Sequence, residues 1–202
     1  MMTLLQAIGD VVRPEFRRDG VIRLEEADPQ STCGPVTLNK RGLALVLKLD
    51  SLPPPACAQP GCQIRCSVND RLFPLFRQEM SGLTALCDYL IFYPEPSGDA
   101  ARLFVFLCEL KSTNIGSAKK QAENGKLLAD YVVAMAKHHR KLPSIPSIET
   151  RGIVFSPVLE QPKIADPRRD RCDYRSHPGA LPDMKFAYCR AGASYPLEYF
   201  CA

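Results

Sequence analysis

The sequence predicts an α/β fold, and three observations carry that prediction. Residues 102–111, RLFVFLCELK, are apolar on both faces, as a strand covered on two sides must be. Residues 117–139 repeat apolar side chains at helical spacing. The predicted elements run helix, strand, strand, helix, strand, the order of a layered α/β core.

Composition bounds the rest. The chain has 202 residues, which suits one domain over 1–202. Its 46% hydrophobic content supports a sizeable core and excludes a mostly disordered chain. The net charge of +4 permits a nucleic-acid partner without requiring one. No apolar run is long enough to cross a bilayer, so no membrane partner is expected. The start, MMTLLQAIGDVVRPEF, lacks the basic opening and long apolar centre of a secretory signal. Nine cysteines, an odd count, then read as reduced thiols of a cytoplasmic protein, not as a disulfide framework.

In order along the chain, a short helix is predicted around Thr3–Val12. Short strands follow at Val21–Leu24, Val36–Leu38 and Leu43–Leu49. In the last, Leu43, Leu45, Leu47 and Leu49 alternate with Gly42, Ala44, Val46 and Lys48, which predicts a half-buried strand. Glu25 or Glu26 can reach an active site, but a solvated strand end is the plainer reading. Residues 51–67, SLPPPACAQPGCQIRCS, are irregular and hold Cys57, Cys62 and Cys66, with Cys33 available as a fourth thiol. Structural zinc favours tight C-x2-C pairs, so C-x4-C-x3-C reads as unligated loop cysteines. Residues 69–86 read as one helix or two, with Asn69 or Asp70 as a cap and Pro74 near a start or a kink. Glu79 is the acid of that segment; on pattern alone it is an exposed helix charge.

Residues 88–93 and 102–111 are the clearest strands, separated by a Pro/Gly/Ser/Asp gap that predicts a hairpin. Period-2 counting puts Leu103, Val105, Leu107, Glu109 and Lys111 on one face, and Phe104, Phe106, Cys108 and Leu110 on the other. A turn centred near Ser97 or Gly98 sets Asp88 opposite Leu107 to Glu109. Opposed side chains there are roughly 5 Å apart at Cβ. In the helix at 117–139, Ala118, Gln121, Ala122, Gly125, Leu128, Ala129, Val132, Met135 and Ala136 share a face. Its N-terminal end follows Glu109 and Lys111 after a short loop and is a favourable place for a phosphate. His138, His139, Arg140 and Lys141 close it, where cations suit the helix dipole better than a metal pair does. A strand at 151–157, a polar loop over 160–185 and a last strand at Met184–Arg190 complete the chain. The loop is solvated or meets an anionic partner.

Three charges therefore stand in or beside apolar runs: Asp88, Glu109 and Lys111. Each costs several kcal/mol, of order 3, unless paired or bound to a metal. Two carboxylates and a lysine beside a helix N-terminus suit phosphodiester hydrolysis. The carboxylates hold one or two Mg2+ ions by hard oxygens, and the Leu110 carbonyl can add another. The lysine positions a water or offsets charge on the phosphate.

Asp88, twenty intervening residues, Glu109-Leu110-Lys111 and then a helix carrying Gln121 resemble the signature of the PD-(D/E)XK nuclease superfamily. The likeness covers about residues 70–158, with N-terminal and C-terminal additions outside it. It implies a restriction-endonuclease-like core, with a mixed central sheet flanked by helices. It implies a Mg2+- or Mn2+-dependent endodeoxyribonuclease, serving restriction or defence against foreign DNA. By resemblance Asp88 and Glu109 are metal ligands, Lys111 is the catalytic lysine, and Gln121 orients the site or contacts the phosphate backbone. Glu79 matches the helix acid that many members add to the metal site, and Lys119 and Lys120 suit nucleic-acid contact. Cys87 stands where a proline often precedes the first acid. Two other readings stay open at this point. One is a nuclease-like binding module acting through a partner protein; the other is a plain Glu109–Lys111 salt bridge. A homodimer is compatible with cutting both strands.

Overall fold

In the computed structural model of the chain, residues 3–26, 28–49, 80, 82–83, 85–95, 102–113, 115–140, 147–157, 171–176, 181 and 184–202 are described. Residues 69–79 of the expected helix, with Glu79, the Cys57/Cys62/Cys66 segment and most of the 160–185 loop lie outside them; the described residues among 80–86 form bends, a turn and irregular chain, not helix.

Helix α1 spans Leu4–Val11, opened by a capping box in which Thr3 and Gln6 satisfy each other's backbone N–H groups. Strands β1 (Arg17–Arg18), β2 (Ile22–Leu24), β3 (Val36–Asn39) and β4 (Leu45–Lys48) follow. Then come β5 (Tyr89–Pro94), β6 (Arg102–Leu110), the long helix α2 (Ala118–Arg140) and β7 (Ser147–Ser156). Strands β8 (Arg175–Ser176), β9 (Lys185–Arg190) and β10 (Ser194–Pro196) complete the chain. The α/β class is thus as the sequence predicts. No described helix is long and apolar enough to cross a membrane.

A seven-stranded sheet runs β1-β4-β5-β6-β7-β9-β8. It is mixed: β1 through β6 pair antiparallel, whereas β6/β7 and β7/β9 are parallel. The parallel β6/β7 step is made possible by α2, which carries the chain back across the sheet. A second sheet of three strands, β10-β3-β2, joins the N-terminal and C-terminal parts of the chain.

Strand β6 lies at the centre, and its two faces feed two cores. Leu103, Val105 and Leu107 pack with Leu90 and Phe92 of β5, Ala7 and Ile8 of α1, and Ala122, Ala129, Val133 and Ala136 of α2. Phe104, Phe106, Cys108 and Leu110 pack with Ile22, Leu24, Val36 and Leu38 of the small sheet, and with Tyr195, Tyr199 and Phe200. Among the described residues both helices therefore cover one face, and the small sheet covers the other. That differs from the expectation of a sheet flanked by helices. It also explains β4. Val46 belongs to one core and Leu47 to the other, while Leu43 is exposed, so the strand is buried on both faces and not half-buried. Strand β7 starts four residues before its predicted start at Arg151, through the polar run Ser147-Ile148-Glu149-Thr150.

Candidate functional site

The hairpin of β5 and β6 brings the acids together. Tyr89 pairs with Cys108 and Leu90 with Leu107. Continuing that register by one residue sets Asp88 opposite Glu109, on the face that carries Leu90, Leu107 and α2. Asp88 is half-buried and held from three sides. Its Oδ2 accepts from Leu110 N (2.7 Å), its carbonyl accepts from Leu49 N (2.8 Å), and its own N–H donates to Glu109 Oε2 (3.2 Å). Leu110 thus serves Asp88 through its backbone N–H while its side chain fills the opposite core.

Glu109 is only 1% exposed. Lys111 Nζ comes within 2.5 Å of Glu109 Oε1 and forms an ion pair with it. Burial pushes the Glu109 carboxyl up to about 8, with the Asp88 charge adding to the effect; Lys111 and the Asp88 N–H oppose it. Cys87, fully enclosed beside these acids, has its thiol held well above the usual range by burial first and by Glu109 and Asp88 next. Lys111 leaves the end of β6, where its N–H donates to the Phe155 carbonyl of β7 (2.8 Å).

Helix α2 closes over this end of the sheet. A Cβ on Gly125 would lie 2.6 Å from Cys87 Sγ and 3.4 Å from a Leu107 methyl, so only glycine lets the helix sit so close. Gln121, in its first turn, donates from Nε2 to the Leu86 carbonyl (3.1 Å), two residues before Asp88. Its Oε1 is buried without a hydrogen bond. Gln121 is therefore brought to the segment that delivers Asp88, not onto the carboxylates. Asn124, which sequence reasoning missed, grips the same segment: its Nδ2 reaches the carbonyls of Gly82 (2.8 Å), Leu83 (3.3 Å) and Ala85 (2.7 Å). Only its spacing of three from Gln121 signalled a shared face. Lys119 lies 3.9 Å from Glu123, and Lys120 extends over Gly82.

Compared with protein-family models, with curated proteins and with solved structures, the chain matches none.

Asp88, Glu109 and Lys111 are thus brought together, with Gln121 one step removed. Glu79, Cys57, Cys62 and Cys66 lie outside the described residues. Cys33 is buried and donates to the Phe155 carbonyl (3.7 Å). His138 and His139 meet edge to face at 4.9 Å on the exposed last turn of α2. Among the described residues no three His, Cys, Asp or Glu side chains gather as a metal-ligating group. The donor set still fits a hard divalent cation. Its atoms are carboxylate oxygens, and Glu109 Oε1 is a buried acceptor met by the Lys111 ammonium. A carboxyl whose ionisation is opposed by burial is the kind that a nearby cation restores.

Proposed function

We propose that this protein is a metal-dependent nuclease that hydrolyses phosphodiester bonds of DNA, with Asp88, Glu109 and Lys111 as its working groups. The observation that carries the reading is that Asp88 and Glu109 stand opposed at one end of a buried hairpin, with the Lys111 ammonium against Glu109. Asp88 and Glu109 would hold Mg2+ or Mn2+, with the Leu110 carbonyl as a further oxygen. When bound, the ion polarises the phosphate and lowers the pKa of its water. Glu109 has to be ionised for this, against the burial that favours its neutral form. Lys111, whose Nζ lies against Glu109, would orient the attacking water or offset charge growing on the phosphate. Gln121 fixes the chain entering Asp88. Lys119 and Lys120, in the first turn of α2, would bring cations toward DNA phosphates. A role in restriction or defence against foreign DNA follows from the resemblance alone.

The test is incubation of the purified protein with plasmid, linear and single-stranded DNA in Mg2+, Mn2+ or EDTA. Cleavage with either metal and none in EDTA is expected. Cleavage that persists in EDTA, or none of any substrate with either metal, would overturn the reading.

One observation favours the second reading, a binding module acting through a partner protein. The Lys111 ammonium already sits against Glu109, and no third metal donor joins the two acids among the described residues. Titration calorimetry with Mn2+ separates the two: bound metal favours the nuclease, and no bound metal favours the module.

A further inference from the structure

We infer that Glu26 is a positioning residue of this site: through Ser112 it holds the strand end at which Lys111 leaves the sheet. The kinetic consequence rests on the nuclease reading; the structural consequence does not.

The pair Glu25-Glu26 reads from sequence as a solvated strand end. In the structure the chain beyond β2 is clamped to the site hairpin. The Tyr89 hydroxyl donates to the Glu25 carbonyl (2.9 Å) and accepts from the Glu25 N–H (3.0 Å), and Lys48 Nζ donates to the same carbonyl (3.1 Å). Tyr89 is the residue after Asp88 and is buried. The clamp brings Glu26 to the far side of the site, where its Oε2 accepts from Ser112 Oγ at 3.0 Å. Ser112 is the residue after Lys111.

A hydroxyl has one proton. Ser112 commits its own to Glu26, so in the 2.8 Å contact between Ser31 Oγ and Ser112 Oγ the donor is Ser31. Ser31 Oγ in turn accepts from Cys33 N (3.0 Å). The Cys33 thiol donates to the Phe155 carbonyl, which also accepts from Lys111 N. Through the Lys111–Ser112 peptide these bonds close a ring of Lys111, Ser112, Ser31, Cys33 and Phe155, and Glu26 is attached to it at Ser112. Glu26 fixes which way the Ser112 hydroxyl donates. Burial first, and the Glu26 charge next, push the Cys33 thiol up to about 11, with Asp88 contributing as well, which puts Glu26 and the site acids in one electrostatic neighbourhood. Lys111 carries its ammonium on a flexible four-carbon stem. The direction in which the backbone leaves β6 decides whether that ammonium meets Glu109, and the Glu26–Ser112 bond fixes that direction just past the last ladder contact.

Glu26→Ala, Glu26→Gln and Ser112→Ala test the inference. Glutamine keeps an oxygen that accepts from Ser112 but removes the charge. With Mg2+ and DNA, Glu26→Ala is expected to lower kcat roughly tenfold or more with KM within about twofold, and Glu26→Gln to stay within about threefold of the parent. Ser112→Ala should match Glu26→Ala, and the double variant should be no worse than either single one. Unchanged kcat in Glu26→Ala overturns the inference, and so does a Glu26→Gln as damaged as the alanine. Amide hydrogen exchange gives a readout independent of activity. Exchange at Lys111 and Ser112 should quicken about fivefold in Glu26→Ala and Ser112→Ala, not in Glu26→Gln, with β9 unaffected. Equal exchange in all four proteins overturns the positioning role. If the parent cleaves nothing, the nuclease reading falls, and the exchange measurement still decides the role of Glu26.

Discussion

Strand β6 carries Arg102 at its first residue and Glu109 at its last but one, and the two ends treat charge differently. Arg102 donates to Glu95 twice (2.7 and 2.9 Å) and to Glu149 (3.0 Å), and Glu149 also binds Arg151. Every bond there is aligned, and water reaches the group. Burial opposes it, yet Arg102 and Arg151 hold the Glu149 carboxyl below its usual range. At the other end Glu109 is enclosed, carries its lysine against one oxygen, and is pushed the opposite way. One strand thus supplies its own control. The Arg102 end shows how this fold settles charge for stability. The Glu109 end departs from that pattern, as the proposed metal site would require.

Neutralising each glutamate in turn should separate the two ends most. Glu109→Gln should lower metal-dependent cleavage by about 10³-fold or more, whereas Glu149→Gln should leave it within about twofold. Equal losses, read from initial rates on plasmid DNA, would erase the distinction.

Next in size is Gly125→Ala. A Cβ there meets Cys87 Sγ at 2.6 Å in the dry layer beneath α2. The overpacking should outweigh the better helix propensity of alanine and cost about 1–2 kcal/mol in thermal or urea unfolding. The loss should come with faster amide exchange at the Glu109 end and none at the Arg102 end.

Stability separates the two glutamates again on a smaller scale. Glu149→Gln should destabilise by about 1 kcal/mol, limited by solvent screening. Glu109→Gln, measured in EDTA, should be neutral or stabilising, because it removes a charge whose burial is opposed.

The smallest effect is the slope of stability with pH, and its sign differs between the two. The folded-state value for Glu109, about 8, lies above the ordinary 4.5, so its contribution is full below the ordinary value and is lost as pH rises through about 8. Glu149 is lowered, so its contribution is present above the ordinary value and is lost as pH falls through the folded one. Melts in EDTA from pH 5 to 9, roughly, should show Glu109→Gln flattening the fall at high pH. Divalent metal should flatten it too, by favouring the ionised carboxylate.

Much of the Glu109 end was legible in the residues. Period 2 on β6 separates the faces that feed the two cores, and counting through the hairpin sets Asp88 against Glu109, because both signals are local. Helical spacing finds α2 and puts Gln121 inward, but it does not say which atom Gln121 meets; the amide ends on Leu86. The second sheet was not legible. Strand β10 pairs with β3, with Tyr195 beside Leu38, across a chain separation that no periodicity records. For the same reason Glu26 read as a solvated strand end: its partner Ser112 is far away in sequence, and only the folded clamp from Tyr89 brings them together. Leu43 to Leu49 misled because alternation of leucine with small or polar residues resembles a half-solvated strand, whereas β4 is covered on both sides.

The most direct measurement of the central claim is the rate at which Lys111→Ala, shown to be folded, cleaves plasmid DNA in Mg2+. A fall of about 10³-fold is expected with Mn2+ binding retained, since the two carboxylates remain. Cleavage at the parent rate would contradict it.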